Sequence, residues 1–199
     1  TEYSNFVTKD STNRIPTVMQ YVANKLGQRG YALTDHEYVG NHIKALQEVQ
    51  KLKAKGKIPQ DFKVILGNEI YLVDKQDLEE RLVNKMPVKF YHFILLAKDE
   101  IGHQQLQELS SRAWKQGFNY RGLDRRPTFY EDIEEVIDKN PGHIIASTAC
   151  LGGFLAKNIL EENYDSANGF IDWCFDVFGV DNFYLEMQPH KENEDGTIS

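Results

Sequence analysis

Apolar positions along the chain switch repeatedly between a helical and an extended spacing, and the switches delimit the elements. After Pro16, which suits a helix start, Val18, Met19, Val22 and Leu26 share one helical face, and Gly27 and Gly30 end that segment. Tyr31, Ala32 and Leu33 then read as a short buried strand that stops abruptly in Thr34, Asp35, His36 and Glu37. Ile43, Leu46, Val49 and Leu52 restore the helical spacing as far as Gly56. Phe62 to Leu66 predicts the next strand, and the run resumes through Ile70 to Val73, so Glu69 interrupts a strand-like stretch. The charged segment Asp74 to Pro87 predicts a short helix or loop, and Phe90 to Ala97 a strand with His92 inside it. Asp99 to Gly117 is amphipathic, with Ile101, Leu106, Leu109, Ala113 and Trp114 as its buried stripe. Thr128 to Asn140 predicts a helix with an acidic first turn, and His143 to Cys150 a fourth strand. Phe154 to Leu160 and Ala167 to Phe178 predict two more helices, and Asn182 to Gln188 a last strand. This alternation predicts an α/β fold with a mostly parallel sheet or barrel.

Composition narrows the class. The 199 residues, 41% hydrophobic and 27% charged, suit a soluble globular protein with a real core. No apolar run approaches a membrane span and the first residues carry no signal pattern, so a cytoplasmic location with no membrane partner is expected. Two cysteines, Cys150 and Cys174, are too few for a disulfide framework and are read as reduced thiols. The net charge of -7 argues against an extended grip on a nucleic-acid backbone. The strongest basic cluster, Arg121 to Arg126, reads as a solvated Gly/Pro-punctuated loop that leaves room for a local phosphate contact.

Candidate chemistry sits on the strands. Asp35 with His36, then Glu69, His92 and Cys150, all lie in or at the ends of apolar strands. Parallel strands point one way, so groups at matching ends would meet on one rim. Imidazole, carboxylate and thiolate together suit Zn²⁺ or Mn²⁺ better than Mg²⁺, and such ions activate water for phosphoester hydrolysis. Each residue also has a plainer reading: His92 as a core histidine, Glu69 paired with a lysine, Cys150 packed, and Asp35 with Thr34 capping the next helix. His42, His103 and His143 are read as surface or helix residues.

A set of motifs then resembles one family. Thr1-Glu-Tyr-Ser-Asn5 followed by Asp10, Ala32-Leu-Thr-Asp-His36, Gly67-Asn-Glu-Ile-Tyr71, Tyr91-His-Phe-Ile-Leu-Leu-Ala-Lys98 and Ser147-Thr-Ala-Cys-Leu-Gly-Gly153 look like successive motifs of the PHP (polymerase and histidinol phosphatase) domain. The stretch from Leu109 through Gly117-Phe-Asn-Tyr120 to Gly153 resembles the version in bacterial DNA polymerase III alpha subunits, and Phe183-Tyr-Leu-Glu-Met-Gln188 is similar to that family's strand before its last ligand motif. The resemblance implies a distorted parallel (β/α)7-type barrel with up to three ions at the C-terminal rim of its strands. By position it implies Asp10, His36, Glu69, His92 and Cys150 as metal ligands, with Asp35 in support; His190 matches no ligand position clearly. The family's His-x-His opening and Asp-x-His closing motifs are absent, so residues 1–199 are expected to be a single PHP domain incomplete at both ends, lacking its first and last ligand-bearing strands.

The function implied is the N-terminal domain of a DNA-directed DNA polymerase, a nucleotidyltransferase of DNA replication. Its polymerase part would use Mg²⁺, and its partners would be DNA and other replisome subunits. The domain itself would be a metal-dependent phosphoesterase or 3′-5′ proofreading exonuclease. A structural and interaction domain without hydrolysis, or a free-standing phosphatase such as histidinol phosphatase, are the alternatives.

Overall fold

The computed structural model describes residues 1–2 and 11–188. Seven helices occur among them: α1 (Ile15–Asn24), α2 (His42–Ala54), α3 (Lys75–Val83), α4 (Glu100–Lys115), α5 (Tyr130–Asp138), α6 (Phe154–Leu160) and α7 (Tyr164–Phe178). The strands are β1 (Gly30–Leu33), β2 (Lys63–Val73), β3 (Tyr91–Ala97), β4 (Phe118–Tyr120), β5 (Leu123–Arg125), β6 (Pro127–Phe129), β7 (Ile144–Ser147) and β8 (Phe183–Tyr184).

The eleven-residue β2 organises the main sheet. The order is β1-β2-β3-β7-β8, and one edge of β2 takes β1 against its first residues and β6 against its last. Pairings of β1, β6 and β8 are parallel, whereas β3 runs antiparallel to both β2 and β7. The expected α/β fold with a parallel-containing sheet is present, and β3 is the strand of the main sheet that departs from it. After Val73 the chain runs through α3 and returns alongside β2, so that Tyr91 pairs with Leu72 and β3 runs back along its neighbour. No helix is long and apolar enough to cross a membrane among the described residues.

Burial divides into two larger clusters. Ile70, Leu72, Phe93, Leu95, Ile144 and Ala146 pack against α4, α5 and α7, while α1 and α2 close over Leu33 and Phe62. Burying one such large side chain stabilises by roughly 1.5–3 kcal/mol, so these faces hold the sheet in register.

Several elements differ from the reading of the sequence. Helix α2 buries His42, Ala45, Val49 and Leu52 and leaves Ile43 and Leu46 exposed, because hydrogen bonds of His42 fix which face turns inward. Leu26 is exposed beyond the end of α1, and Ile101 and Trp114 lie at the margin of the α4 stripe. Residues 127–129 form β6 and not a helix start, and the basic segment is the hairpin β4–β5. Strand β8 stops at Tyr184: the Glu186 N–H donates to the Thr148 hydroxyl at 2.9 Å, which takes the chain out of the ladder. Cys150 and Cys174 are both free thiols.

Candidate metal centre

The rim assembles through register. Beyond β1 the chain keeps in step with β2, so that His36 pairs with Glu69 as Leu33 pairs with Leu66. The Glu37 N–H donates to the Glu69 carbonyl at 2.9 Å, and the Glu69 N–H to the Asp35 carbonyl at 3.2 Å. Residues two apart on a strand share a face, which puts Tyr71 beside Glu69, and His92 is the cross-strand partner of Tyr71. His36, Glu69, Tyr71 and His92 therefore lie together for reasons of backbone pairing alone. His92 reaches this rim from the start of β3, because β3 is antiparallel; Glu69 lies in the interior of β2 and not at its end.

The distances within the group suit chelation. The donor atoms of His36, Glu69 and His92 lie within 4.8 Å of one another. Glu69 sits between the imidazoles, with Oε1 3.1 Å from His92 Nδ1 and Oε2 3.6 Å from His36 Nε2. Cys150 adjoins through His92, its Sγ 3.2 Å from the same Nδ1. The loop after β7 fixes this contact: the Gly152 carbonyl accepts the His92 N–H at 3.1 Å, and the Gly152 N–H donates to Cys150 Sγ at 3.3 Å. A methyl group at Gly152 would lie 3.1 Å from the His92 ring, so the close approach depends on glycine. Side-chain exposures of 15% for His36, 18% for Glu69 and 27% for His92 leave the group open to solvent. A cavity of about 320 Å³, lined by Tyr31, Thr34, Asp35, His36 and Glu69 among others, opens beside it. Two imidazoles and a carboxylate with a thiol alongside are a donor set that fits a borderline divalent cation.

Around this set the sequence reading is partly revised. Asp35 is buried, and its carboxylate accepts from the Asn41 amide and from the Thr1 hydroxyl at 2.7 Å. It holds the loop and does not cap α2, whose N-cap is Asn41. Asp10 and His190 lie outside the described residues. His42 and His103 are buried, not superficial: His42 Nδ1 lies 3.1 Å from His103 Nε2, and His42 Nε2 lies 3.0 Å from the Gly67 carbonyl. His143 Nδ1 is 2.6 Å from Asp99 at the start of α4.

Glu37 and Tyr71 were not singled out as site residues in the sequence, and Arg125 and Arg126 entered only within the basic segment 121–126 with its room for a local phosphate contact. Glu37 takes a left-handed φ of 54° and is buried; its Oε1 accepts the Arg126 N–H at 3.0 Å, and its carbonyl accepts the Trp114 indole N–H at 2.8 Å. Burial pushes its carboxyl up to about 7, against the opposing pull of that N–H and of the Arg126 charge. Burial, then the charge of Glu37, raises the Tyr71 phenol. The place of Tyr71 two residues after Glu69 was the available signal.

Comparison with known proteins places these features in a family. The model of the PHP domain matches residues 3–190. A DNA-directed DNA polymerase of Bacillus phage SPbeta is 42% identical over 208 residues, which cover 98% of this chain and 16% of that protein. DNA polymerase III alpha subunits of Treponema pallidum and Borreliella burgdorferi are 29% and 32% identical over 99% and 94% of the chain, each matched over 15% of its own length. The chain thus spans about one-sixth of the curated relatives it matches.

Proposed function

The chain belongs to the PHP domain family, and from that premise we propose that residues 1–199 are one metal-dependent phosphoesterase domain of a longer replicative DNA polymerase of the polymerase III alpha type. The observation that carries this reading is the trio His36, Glu69 and His92, its donor atoms gathered within 4.8 Å. Nucleotidyl transfer would reside elsewhere in the longer protein, which would work in the cytoplasm with DNA and other replisome subunits. Closure of the sheet into the distorted (β/α)7 barrel belongs to the same reading.

The metal ligands in this proposal are His36, Glu69, His92 and Cys150, with Asp10 from the segment before α1. A Zn²⁺ or Mn²⁺ ion bound by them, the first of up to three, supplies a Lewis acid for a phosphoryl oxygen and water of lowered pKa. The chain supplies orientation. Glu69 offers one carboxylate oxygen toward each imidazole, the Gly152 carbonyl and the Tyr71 ring fix where His92 stands, and Asn41 keeps Asp35 and its loop in place. The reaction best served is cleavage of a phosphoester, such as removal of a 3′-terminal nucleotide. The polymerase relatives favour this over a free-standing phosphatase of small monoesters.

Elemental analysis after exposure to Zn²⁺ or Mn²⁺ and gel filtration, with hydrolysis of a phosphodiester, tests the proposal. The chain should retain metal, and the double substitution His36→Ala, Glu69→Ala should remove most of it together with the hydrolysis. Unchanged metal content in the double variant would refute the ligand assignment.

A further inference from the structure

The β4–β5 hairpin carries three arginines in six positions, and their surroundings differ. Arg121 is exposed at the tip, over the Tyr120 ring. Arg126 is committed to Glu37: its N–H bonds one carboxylate oxygen, its guanidinium lies 3.9 Å from the other, and the same guanidinium covers Trp114. Arg125 is less fully engaged: its guanidinium interacts with the Tyr71 phenol and feels the Glu37 charge, but it forms no close carboxylate pair among the described residues. It is half-buried, its Nε is buried without a hydrogen-bond acceptor, and it makes no ion pair among the described residues. Elsewhere, Arg112 meets Glu108, Asp132 and Glu135, and Arg81 meets Asp77. Arg125 thus shares a distant carboxylate that Arg126 already engages and keeps a buried N–H without an acceptor, so an anion from outside could take up donors that the chain leaves unused.

Its position says which anion. The Arg125 guanidinium lies over Tyr71 at 5.2 Å and Phe90 at 4.9 Å. Tyr71 in turn stacks on His36 at 5.6 Å and touches His92 at 5.1 Å, so one aromatic ring separates this cation from the metal-ligand face. On its other side Phe90 adjoins Phe118 and Tyr120, which together form an aromatic cluster on the hairpin. A planar fork of donors fits phosphate oxygens, and aromatic rings beside a cation form the usual platform for single-stranded bases.

We propose that Arg125 is a substrate-binding residue of this centre that grips the phosphate next to the one presented to His36, Glu69 and His92, which makes the substrate the end of a single-stranded nucleic acid. The inference rests on the phosphoesterase reading and narrows it, since a small monoester or diester has no second phosphate to offer. It also agrees with the net charge of -7, because one local grip at a strand end needs no basic groove.

Binding of a fluorescein-labelled oligothymidylate of about six nucleotides to the metal-loaded 199-residue chain, followed by anisotropy at several salt concentrations, tests it. Arg125→Gln should weaken binding about tenfold and lower the salt dependence by roughly one counterion; Arg125→Lys should weaken it several-fold, since an ammonium keeps the charge but not the fork. Arg29→Gln removes a charge paired with Asp61 at a distant surface and should bind as the parent does. If hydrolysis is present, the preference for the oligonucleotide over bis-p-nitrophenyl phosphate should fall with Arg125→Gln, mainly through KM. The proposal is overturned by a parent chain that does not bind the oligonucleotide, by an Arg125→Gln variant of unchanged affinity and salt slope, or by one that loses its metal along with its binding. A chain that binds in an Arg125-dependent way yet cuts neither substrate would refute the hydrolytic reading and leave the Arg125 assignment standing.

Discussion

Two pairs of histidines touch β2, and their company sets them apart. His36 and His92 are partly open to solvent and share the carboxylate of Glu69, with a thiol alongside. His42 and His103 are 1% and 7% exposed and bond to each other and to the Gly67 carbonyl, with no carboxylate paired to either ring among the described residues. If His42 Nε2 donates to that carbonyl, its Nδ1 must accept from His103 Nε2, so the tautomers form one directed chain. Imidazole with water and an anion nearby can hold a cation; imidazole sealed among apolar groups serves as a neutral strut between α2, α4 and β2. Neighbours decide the role, and residue type does not.

The largest effect should come from the carboxylate that separates the two cases. Glu69→Ala leaves His36 and His92 without their shared anion, and metal affinity should fall about a thousandfold, or roughly 4 kcal/mol, in a chelator competition. His42→Ala should leave that affinity unchanged; an equal loss in both would erase the distinction.

Acid should separate them next. Burial holds His42 down to about 4, below its ordinary 6.5, so between those values the unfolded chain binds more protons than the folded one. Stability from this group is complete above about pH 6.5 and is lost as pH falls toward 4, by about 3 kcal/mol. Urea unfolding across that range should show the slope, and His42→Gln should flatten it.

Removing the other half of the strut is a smaller change. His103→Ala leaves His42 Nδ1 buried without a donor and should cost about 2 kcal/mol in unfolding free energy, with metal retained. Smallest of all, Gly152→Ala pushes on the His92 ring by a few tenths of an ångström and should weaken metal binding only a few-fold. Its unfolding midpoint should move by less than about 1 kcal/mol.

Much of this could be read from the chain. The apolar runs found β1, β2, β3 and β7, and the groups on them, His36, Glu69, His92 and Cys150, do come together. Strand direction was not legible, because a period of two reports which face a residue takes and says nothing of which way the strand runs. Convergence holds all the same, because His92 at the start of antiparallel β3 lies level with Tyr71, two residues past Glu69 on β2, and close to the loop that follows the end of β7. The buried strut was misread because Ile43 and Leu46 outscore His42 and Ala45 on any apolar count; only tertiary hydrogen bonds rotate α2 the other way. The hairpin was missed for a local reason. Its turn needs positive φ at Arg121 and Gly122, 51° and 81°, and Arg-Gly is a weaker turn signature than Asn-Gly.

Strand β2 leaves a further mark on the behaviour of the centre. On one edge its partner changes from β1 to β6, and the bridge to His36 falls in the gap between them, where the backbone amides of Glu37 and Glu69 cross together with the Asn68 side chain. The α1–α2 half and the α4–α7 half of the molecule thus share a seam that runs through the ligands. Deuterium should enter those two amides at the pace of whichever half opens more readily, and a bound cation, stitching both sides, should slow them more than any other pair in the sheet.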